Sequence, residues 1–181
     1  NDGKPVMSLM FQHIPVPQTT ELFIECDKDD QYAVPGHNDK TKYWKLDPER
    51  AKGFAFEYPA VCEKDFGQLD AINEQGDVCA LVFGHDHLNC FTSELHGVNI
   101  VQTPGASFRS YGNRFSRGVR VFEIDENDTS SFSTYTLGYF GLFGTKFMSV
   151  LRYIMGADEM EKFRNLIWIL LAVFGISFVV Y

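Results

Sequence analysis

Two short apolar runs stand out in the pattern of hydrophobic and polar positions, and each is followed by a histidine. Residues 6–11 (Val-Met-Ser-Leu-Met-Phe) precede His13, and residues 78–83 (Val-Cys-Ala-Leu-Val-Phe) precede His85. Continuous apolar runs of about six residues are typical of strands that are buried on both faces. The pattern therefore predicts two β-strands, of which 78–83 is buried, and each strand delivers a histidine to a sheet edge.

Between these runs the pattern predicts one long helix and an irregular segment. The helix spans 64–75 and ends at Gly76, and three apolar side chains share one of its faces, namely Phe66, Leu69 and Ile72. Residues 18–60 show neither period and predict an irregular polar insertion. Within it, Asp47-Pro48 has the residue types of a helix start, which predicts a short helix there.

Four further strands are predicted after the second apolar run. Two of them suit a hairpin that turns at His96-Gly97, and the other two are joined by a polar loop; their ranges are 91–95, 98–102, 117–124 and 131–137. A helix followed by strands and hairpins predicts an α/β domain, for which we expect the range 1–137.

The pattern changes again after residue 138. Phe147, Val150, Leu151 and Ile154 follow helical spacing, which predicts an amphipathic linker over 138–162 that packs on the domain or lies at a membrane interface. Residues 166–181 carry no charge, and we predict a transmembrane helix over 163–181. The alternatives are a buried core helix and a cleaved lipid-anchor signal.

Composition limits the kinds of partner. The chain has 181 residues, enough for the core of one domain, and a net charge of −8, which argues against a nucleic-acid partner. An acidic surface does not exclude a phosphoester substrate, because bound metal ions supply local positive charge.

Cysteine usage leaves the cellular compartment open. Cys26, Cys62, Cys79 and Cys90 fit no zinc-finger spacing, so they are either free thiols or members of one or two disulfides. The glycosylation sequon Asn127-Asp128-Thr129 favours the disulfides and a lumenal or extracellular domain. With the tail, this predicts a single-pass membrane protein or, after removal of the tail, a lipid-anchored one.

Three histidines are the strongest candidates for chemistry. His85 and His87 flank Asp86 directly after a predicted strand, and His13 follows another. Imidazole is a common metal ligand, so strands that end at one edge can build a metal site there. We treat His37 and His96 as non-ligands, because one lies in a polar loop and the other in a hairpin turn.

The motifs around these histidines resemble the calcineurin-like metallophosphoesterases, in the branch related to purple acid phosphatases. The resemblance rests on Phe11-Gln12-His13, on Gly84-His85-Asp86-His87-Leu88-Asn89, on Tyr111-Gly112 and on Arg117-Gly118-Val119-Arg120. It covers about residues 6–137. The family's Asp-x-His and Gly-Asn-His motifs do not occur in this sequence, and Gly76-Asp77 fits a helix-ending turn better than the family's Gly-Asp.

The resemblance implies the C-terminal half of a layered α/β/β/α sandwich with a site for two divalent or trivalent metal ions (Fe, Zn or Mn). His13 and His85 would bind one ion and His87 the other, while Asp86 turns away and Asn89 contacts the substrate. The remaining ligands would come from a missing N-terminal half. Such ions activate water for attack on phosphorus and neutralise charge on the phosphate oxygens.

Two functions follow as hypotheses. The first is a membrane-anchored, metal-dependent phosphoester hydrolase, either a phosphatase or a phosphodiesterase, whose bilayer contact is Leu166–Tyr181 and of which this chain alone is an incomplete, inactive part. The second is a non-catalytic, membrane-anchored interaction module that retains the phosphoesterase fold. The retention of the three histidines favours the hydrolase, and the absent motifs favour the module.

Overall fold

The computed structural model describes residues 6–113, 116–155 and 159–179. It contains ten strands and four α-helices in this part of the chain. The strands are β1 (Ser8–Phe11), β2 (Phe23–Cys26), β3 (Val34–Pro35), β4 (Tyr43–Leu46), β5 (Ala51–Phe54), β6 (Val78–Phe83), β7 (Cys90–Leu95), β8 (Val98–Gln102), β9 (Gly118–Asp125) and β10 (Asp128–Gly138). The helices are α1 (Gln68–Gln75), α2 (Tyr139–Phe143), α3 (Phe147–Met155) and α4 (Glu159–Val179).

A five-stranded mixed sheet forms the centre of the fold. Its strand order is β1-β6-β8-β7-β5, with β1, β6 and β8 parallel and β7 and β5 antiparallel to their neighbours. The predicted strands at 6–11 and 78–83 thus correspond to β1 and β6, and the predicted hairpin corresponds to β7 and β8. The chain is a mixed α/β protein, and the four-layer sandwich stays a prediction.

The core lies on the face of this sheet that α1 and the short 3₁₀ helix Pro17–Leu22 cover. Its largest fully buried apolar side chains are Phe83, Phe91, Leu22, Leu69, Leu81, Leu95 and Ile100. Each such side chain stabilises the fold by about 1.5–3 kcal/mol when it leaves water. The core therefore fixes β6, β7 and β8 firmly relative to α1.

Helix α1 is shorter than predicted, and one residue of its predicted apolar face lies elsewhere. Leu69 and Ile72 are buried as expected, and Gly76 ends the helix with a positive φ of 71°. Phe66 instead precedes the helix and is 79% exposed, with the Lys64 ammonium 5.1 Å from its ring centre. Gly67 has a left-handed backbone conformation and caps the helix, which begins at Gln68. The predicted helix start at residue 64 is therefore too early.

The segment 18–60 has more structure than we predicted. Strands β2, β4 and β3 form a small antiparallel sheet, and β5 joins the edge of the main sheet. The prediction of a short helix at Asp47-Pro48 is wrong, because the structure has no helix there. The Asp47 carboxylate accepts the backbone N–H of Glu49 in a tight turn, and the chain enters β5 at Ala51.

The hairpin β9–β10 forms a separate two-stranded sheet beside the main sheet. Side chains join the two sheets: the Phe11 ring meets Phe122 edge-on at 5.6 Å, and an Arg120 guanidinium N–H lies 3.2 Å from the Cys90 sulfur. A cavity of about 330 Å³ lies between β10 and the β6–β8 face. Asn127 of the sequon is exposed in the turn of this hairpin, and its glycosylation stays a prediction.

Three helices follow the hairpin. Helix α3 covers the predicted amphipathic segment, and its Tyr153 is buried among the rings of Phe108, Tyr139 and Phe140. Phe147 and Leu151 face outward, at 77% and 38% exposure, so only part of the predicted apolar face packs on the domain.

Helix α4 covers most of the segment predicted to cross a membrane. Over the described ranges, none of the helices has both the length and the apolar content that a bilayer crossing requires. The transmembrane helix predicted for 163–181 is thus not found in this part of the chain, and residues 180–181 lie outside it.

All four cysteines are free thiols. Cys62 is exposed and Cys90 is buried, while Cys26 and Cys79 are intermediate. Burial raises the pKa of the Cys90 thiol, and the nearby Arg120 guanidinium opposes this shift.

We expect Gly53→Ala to destabilise the fold far more than Gly67→Ala. Both glycines have positive φ, but a Cβ at Gly53 would lie 2.2 Å from the Cys90 carbonyl oxygen, whereas a Cβ at Gly67 meets nothing within 4 Å. Gly67→Ala therefore costs only the backbone strain of about 1–2 kcal/mol. Gly53→Ala also separates β5 from β7 and costs about 3 kcal/mol or more. Urea denaturation measures both, and equal losses would contradict the close strand contact.

Cysteine alkylation in the native protein should begin at Cys62 and end at Cys90. Cys90 is buried and Cys62 is exposed, so we expect alkylation of Cys90 to be at least about tenfold slower. A raised pKa acts in the same direction, because it leaves less of the reactive thiolate on Cys90. The Cys90 rate rises with pH and on unfolding. Mass spectrometry after timed iodoacetamide labelling gives the order. Fewer than four reactive thiols in guanidinium would show that disulfides are present.

Candidate metal centre

The parallel pairing of β1 with β6 brings His13 and His85 together. Phe11 pairs with Val82, so the two strands end at the same edge of the sheet, and each histidine follows two residues after its strand. The ladder continues past the strands, because Gln12 N–H donates to the Val82 carbonyl at 3.0 Å and Gly84 N–H to the His13 carbonyl at 3.4 Å. Strand register alone therefore places two imidazoles side by side, as the sequence predicts.

The two rings are in direct contact. His85 Nδ1 lies 2.9 Å from His13 Nε2, and the rings meet edge to face with centroids 4.7 Å apart. His13 is exposed and His85 is half-buried. Two nitrogens bound to one ion at about 2.1 Å and a right angle are themselves about 3 Å apart. In this structure the contact is a hydrogen bond from one ring N–H to the lone pair of the other ring. The same spacing suits adjacent positions on a single metal ion once that proton is released.

His87 is fixed by the chain segment that follows β8. Its Nδ1 lies 2.9 Å from the Tyr111 carbonyl oxygen and 2.9 Å from Ser110 Oγ, and its ring stacks on Tyr111 with centroids 4.3 Å apart. A carbonyl oxygen can only accept, so Nδ1 donates and Nε2 keeps its lone pair. Metal-bound histidines commonly show this arrangement, with the second ring nitrogen held by a backbone carbonyl.

Asp86 turns inward between the two histidines, as expected. It is 2% exposed, and its carboxylate accepts the Ala60 backbone N–H at 3.1 Å. Burial raises the pKa of this carboxyl, and the hydrogen bond from Ala60 opposes that shift. Asp86 therefore connects the histidine loop to the 56–60 segment.

Asn89 belongs to the same buried network. Its Oδ1 accepts the backbone N–H groups of Phe56 (3.0 Å) and Glu57 (3.2 Å), and its Nδ2 donates to the Glu57 carbonyl (3.0 Å) and to Asp86 (3.4 Å). These contacts use all four hydrogen-bonding positions of the amide. At 1% exposure, the predicted contact of Asn89 with substrate would require this network to rearrange.

Glu57 links the histidine loop to Tyr111. One carboxylate oxygen accepts the Leu88 backbone N–H at 2.7 Å, and the other accepts the Tyr111 hydroxyl at 3.1 Å. Burial, and after it the Glu57 charge, raises the pKa of Tyr111 to about 12. The hydroxyl bond to Glu57 and the stacking on His87 together fix the Tyr111 ring between the two residues.

Arg117 braces the segment that holds His87. It is buried, its Nη2 donates to the Ser110 carbonyl at 2.8 Å, and its guanidinium lies 5.2 Å from the Phe108 ring centre. Gly105 lets the chain pass close to His87, since a Cβ there would lie 3.2 Å from the His87 carbonyl oxygen. These contacts set the position of Ser110 and Tyr111.

The donor chemistry fits a metal centre, but the ligand set is incomplete. Imidazole nitrogens suit iron and zinc, His13 and His85 are in contact, and His87 keeps Nε2 available. Over the described ranges, no three side chains of His, Cys, Asp or Glu gather closely enough to hold an ion. The assignment of His13 and His85 to one ion and of His87 to another thus stays a prediction.

Several supporting residues were missed by reasoning from the sequence. Glu57 and Ala60 lie in the segment predicted as irregular, where no period signals a contact with a loop some thirty residues away. Ser110 acts through its position beside His87, and a lone serine carries no pattern. The Arg117-Gly118-Val119-Arg120 element, which supported the resemblance, was the one available signal for the brace at Arg117.

Two curated proteins of Arabidopsis thaliana are similar to parts of this chain. The chain is 45% identical over 64 residues to "Probable inactive purple acid phosphatase 14". The aligned region covers 35% of this chain and 16% of that protein. It is 32% identical over 77 residues to "Probable inactive purple acid phosphatase 29", which covers 42% of this chain and 20% of that protein. The chain thus spans a fifth or less of the length of these relatives.

These similarities support a relationship to the metallophosphoesterase superfamily through relatives named as probably inactive. No family model and no solved structure matches the chain.

We expect Asn89→Ala to cost about 2 kcal/mol of unfolding free energy, because it removes the amide that satisfies the partly buried N–H groups of Phe56 and Glu57. The matched control is Asn99→Ala, which removes one exposed hydrogen bond to the Cys79 carbonyl and costs less than about 1 kcal/mol. Denaturant titration measures both variants. Unchanged stability for Asn89→Ala with a raised KM would instead indicate a direct substrate contact.

Proposed function

We propose that this chain is part of a metal-dependent phosphoester hydrolase and supplies three imidazoles to its two-metal centre. The observation that carries the proposal is the 2.9 Å contact between His13 Nε2 and His85 Nδ1 at the shared end of β1 and β6. The similarity to purple acid phosphatase-like proteins supports the phosphoester as substrate.

Each imidazole has a distinct task in this proposal. His13 and His85 hold one ion from neighbouring strand ends, and His87 presents Nε2 to the other while the Tyr111 carbonyl keeps its Nδ1 protonated. The remaining ligands come from a part of the protein beyond the described residues. Iron, zinc or manganese bound there would supply a nucleophile from water and would offset the charge on the phosphate.

The network behind the histidines keeps them in place. Asp86, Asn89 and Glu57 anchor the histidine loop to the 56–60 segment through buried hydrogen bonds. Such support matters because ligand and substrate positions must hold within about 0.5 Å for efficient chemistry.

A non-catalytic interaction module is the second candidate. The relatives' names, both of which contain "probable inactive", favour it. In this case the histidine loop serves only as a rigid part of the fold, and the protein has no turnover even with metals present. Metal content and turnover must therefore be measured separately.

We also propose that α4 contacts a lipid bilayer and so places the hydrolase at a membrane, on the lumenal or extracellular side. The support is the exposed apolar surface of this helix, which includes Phe163, Trp168, Leu171 and Phe174, each more than half exposed. Aromatic and aliphatic side chains of this kind favour the membrane interface. A lipid anchor that replaces the tail is the alternative.

His85→Ala should abolish both metal binding at one position and hydrolysis in the full-length protein. We expect the affinity for one ion to fall by at least about 100-fold and turnover of p-nitrophenyl phosphate and of its bis-ester to fall to background. Elemental analysis counts the metal ions, and release of p-nitrophenol gives the rate.

The matched control is His96→Asn, which removes an exposed imidazole in the β7–β8 turn. Asn tolerates the positive φ of 51° at that position, so this variant should keep both metals and activity. Two bound metals without turnover in the unmodified protein would favour the interaction module. Full activity in His85→Ala would overturn the assigned roles.

A further inference from the structure

A cavity of about 360 Å³ adjoins the candidate metal centre. It lies between the 35–40 turn, the 56–60 segment and Tyr111, so the insertion between β1 and α1 builds most of its wall. The polar and aromatic side chains that line it are His37, Lys40, Phe56, Glu57, Tyr58 and Tyr111.

Tyr111 is the wall shared by the cavity and the histidine loop. One face of its ring stacks on His87, and the residue also lines the cavity. Its hydroxyl donates to Glu57, whose other oxygen holds the Leu88 backbone. Only the Tyr111 ring thus separates the cavity from His87, a proposed metal ligand. With phosphate at the metal centre, the alcohol part of a phosphoester substrate would lie in this cavity.

The walls are aromatic and held in place. The Phe56 ring stacks on Phe54 at 5.1 Å, and Tyr58 packs against Trp44 at 5.6 Å and Phe23 at 5.5 Å. Rings fixed in this way favour a planar aromatic group, which can stack or meet them edge to face.

Lys40 gives the rim of the cavity a positive charge that is not paired with a carboxylate of the described residues. In the same insertion, Lys42 pairs with Glu25 at 3.6 Å and Lys45 with Asp30 at 2.6 Å. Neither Lys40 nor His37 has a hydrogen-bond or ion-pair partner within the described residues. The only carboxylate in the wall, Glu57, is occupied by a backbone N–H and the Tyr111 hydroxyl.

We infer that this cavity selects phosphoesters whose alcohol carries an aromatic ring with an acidic substituent. The ring lies between Tyr111 and the Phe56–Tyr58 wall, and the acidic group meets Lys40, with His37 as a second donor at the rim. The inference rests on the proposed function for the phosphate end of the substrate, and on the cavity alone for the alcohol end.

Three substrates distinguish the effect of the aromatic ring from that of the negative charge, namely methyl, benzyl and 4-carboxybenzyl phosphate. Their alcohols have closely similar acidity, so the leaving group contributes little to any difference in rate. In the full-length protein we expect kcat/KM to rise by about threefold to tenfold from methyl to benzyl, as one aromatic contact provides. A further rise of about twofold to fivefold is expected for the carboxylate. That second rise should disappear in Lys40→Gln and at high salt, and persist in the control Lys52→Gln, which does not line the cavity.

A phosphate-free probe tests the cavity independently of metals and turnover. Saturation-transfer NMR should detect 4-methylbenzoate on the full-length protein, with weaker binding in Lys40→Gln and unchanged binding in Lys52→Gln and His85→Ala. Binding of this probe without hydrolysis of any ester supports the cavity inference and rejects the proposed function.

Equal kcat/KM values for the three esters would overturn the inference while the hydrolase stands. Probe binding that does not respond to Lys40→Gln would overturn it as well, because the charged rim would then have no role.

Discussion

The register between β1 and β6 is the constraint on which the rest of the site depends. Phe11 pairs with Val82 in the backbone ladder, and this pairing determines where the imidazoles of His13 and His85 meet. A shift of one residue would turn both faces of a strand over and separate the rings. Met10 packs against the core whereas Phe11 is 64% exposed on the other face of β1, so a shift of β1 by one residue would remove Met10 from the core. The geometry of the centre is therefore determined by apolar packing several residues away from it.

A second level of organisation is the buried polar network around Asn89. The Asn89 amide satisfies backbone groups of Phe56 and Glu57, which lie outside regular secondary structure and would otherwise lack these partners. It also makes the insertion part of the site, because Phe56, Glu57 and Ala60 are held by the same loop that carries the histidines. The insertion thus supplies support on one side and the wall of a cavity on the other.

The parts that the sequence could predict are those in which a local period reports burial. β6 is a continuous apolar run and is buried, the β7–β8 hairpin has its turn at His96-Gly97, and Leu69 and Ile72 mark the buried face of α1. The apolar run of β1 predicts the strand itself, although β1 lies at the edge of the sheet and its Phe11 is 64% exposed. The short strands of the insertion were missed because two to four residues are too few to show alternation. Asn89 was expected to face substrate, since nothing local distinguishes a buried amide that bonds to a segment thirty residues earlier. Phe66 was misplaced because its spacing is helical although the helix starts after it.

The hairpin β9–β10 has a consequence for how the domain opens. Strand β9 pairs with β10 from Gly118–Gly138 to Glu123–Ser133, and side chains such as Phe122 and Arg120 connect the hairpin to the main sheet. Segments joined in this way can separate as a cooperative unit at a lower free energy than global unfolding. Amide protons in the hairpin should then exchange through such partial opening, whereas those of β6 and β8 exchange only when the entire domain unfolds.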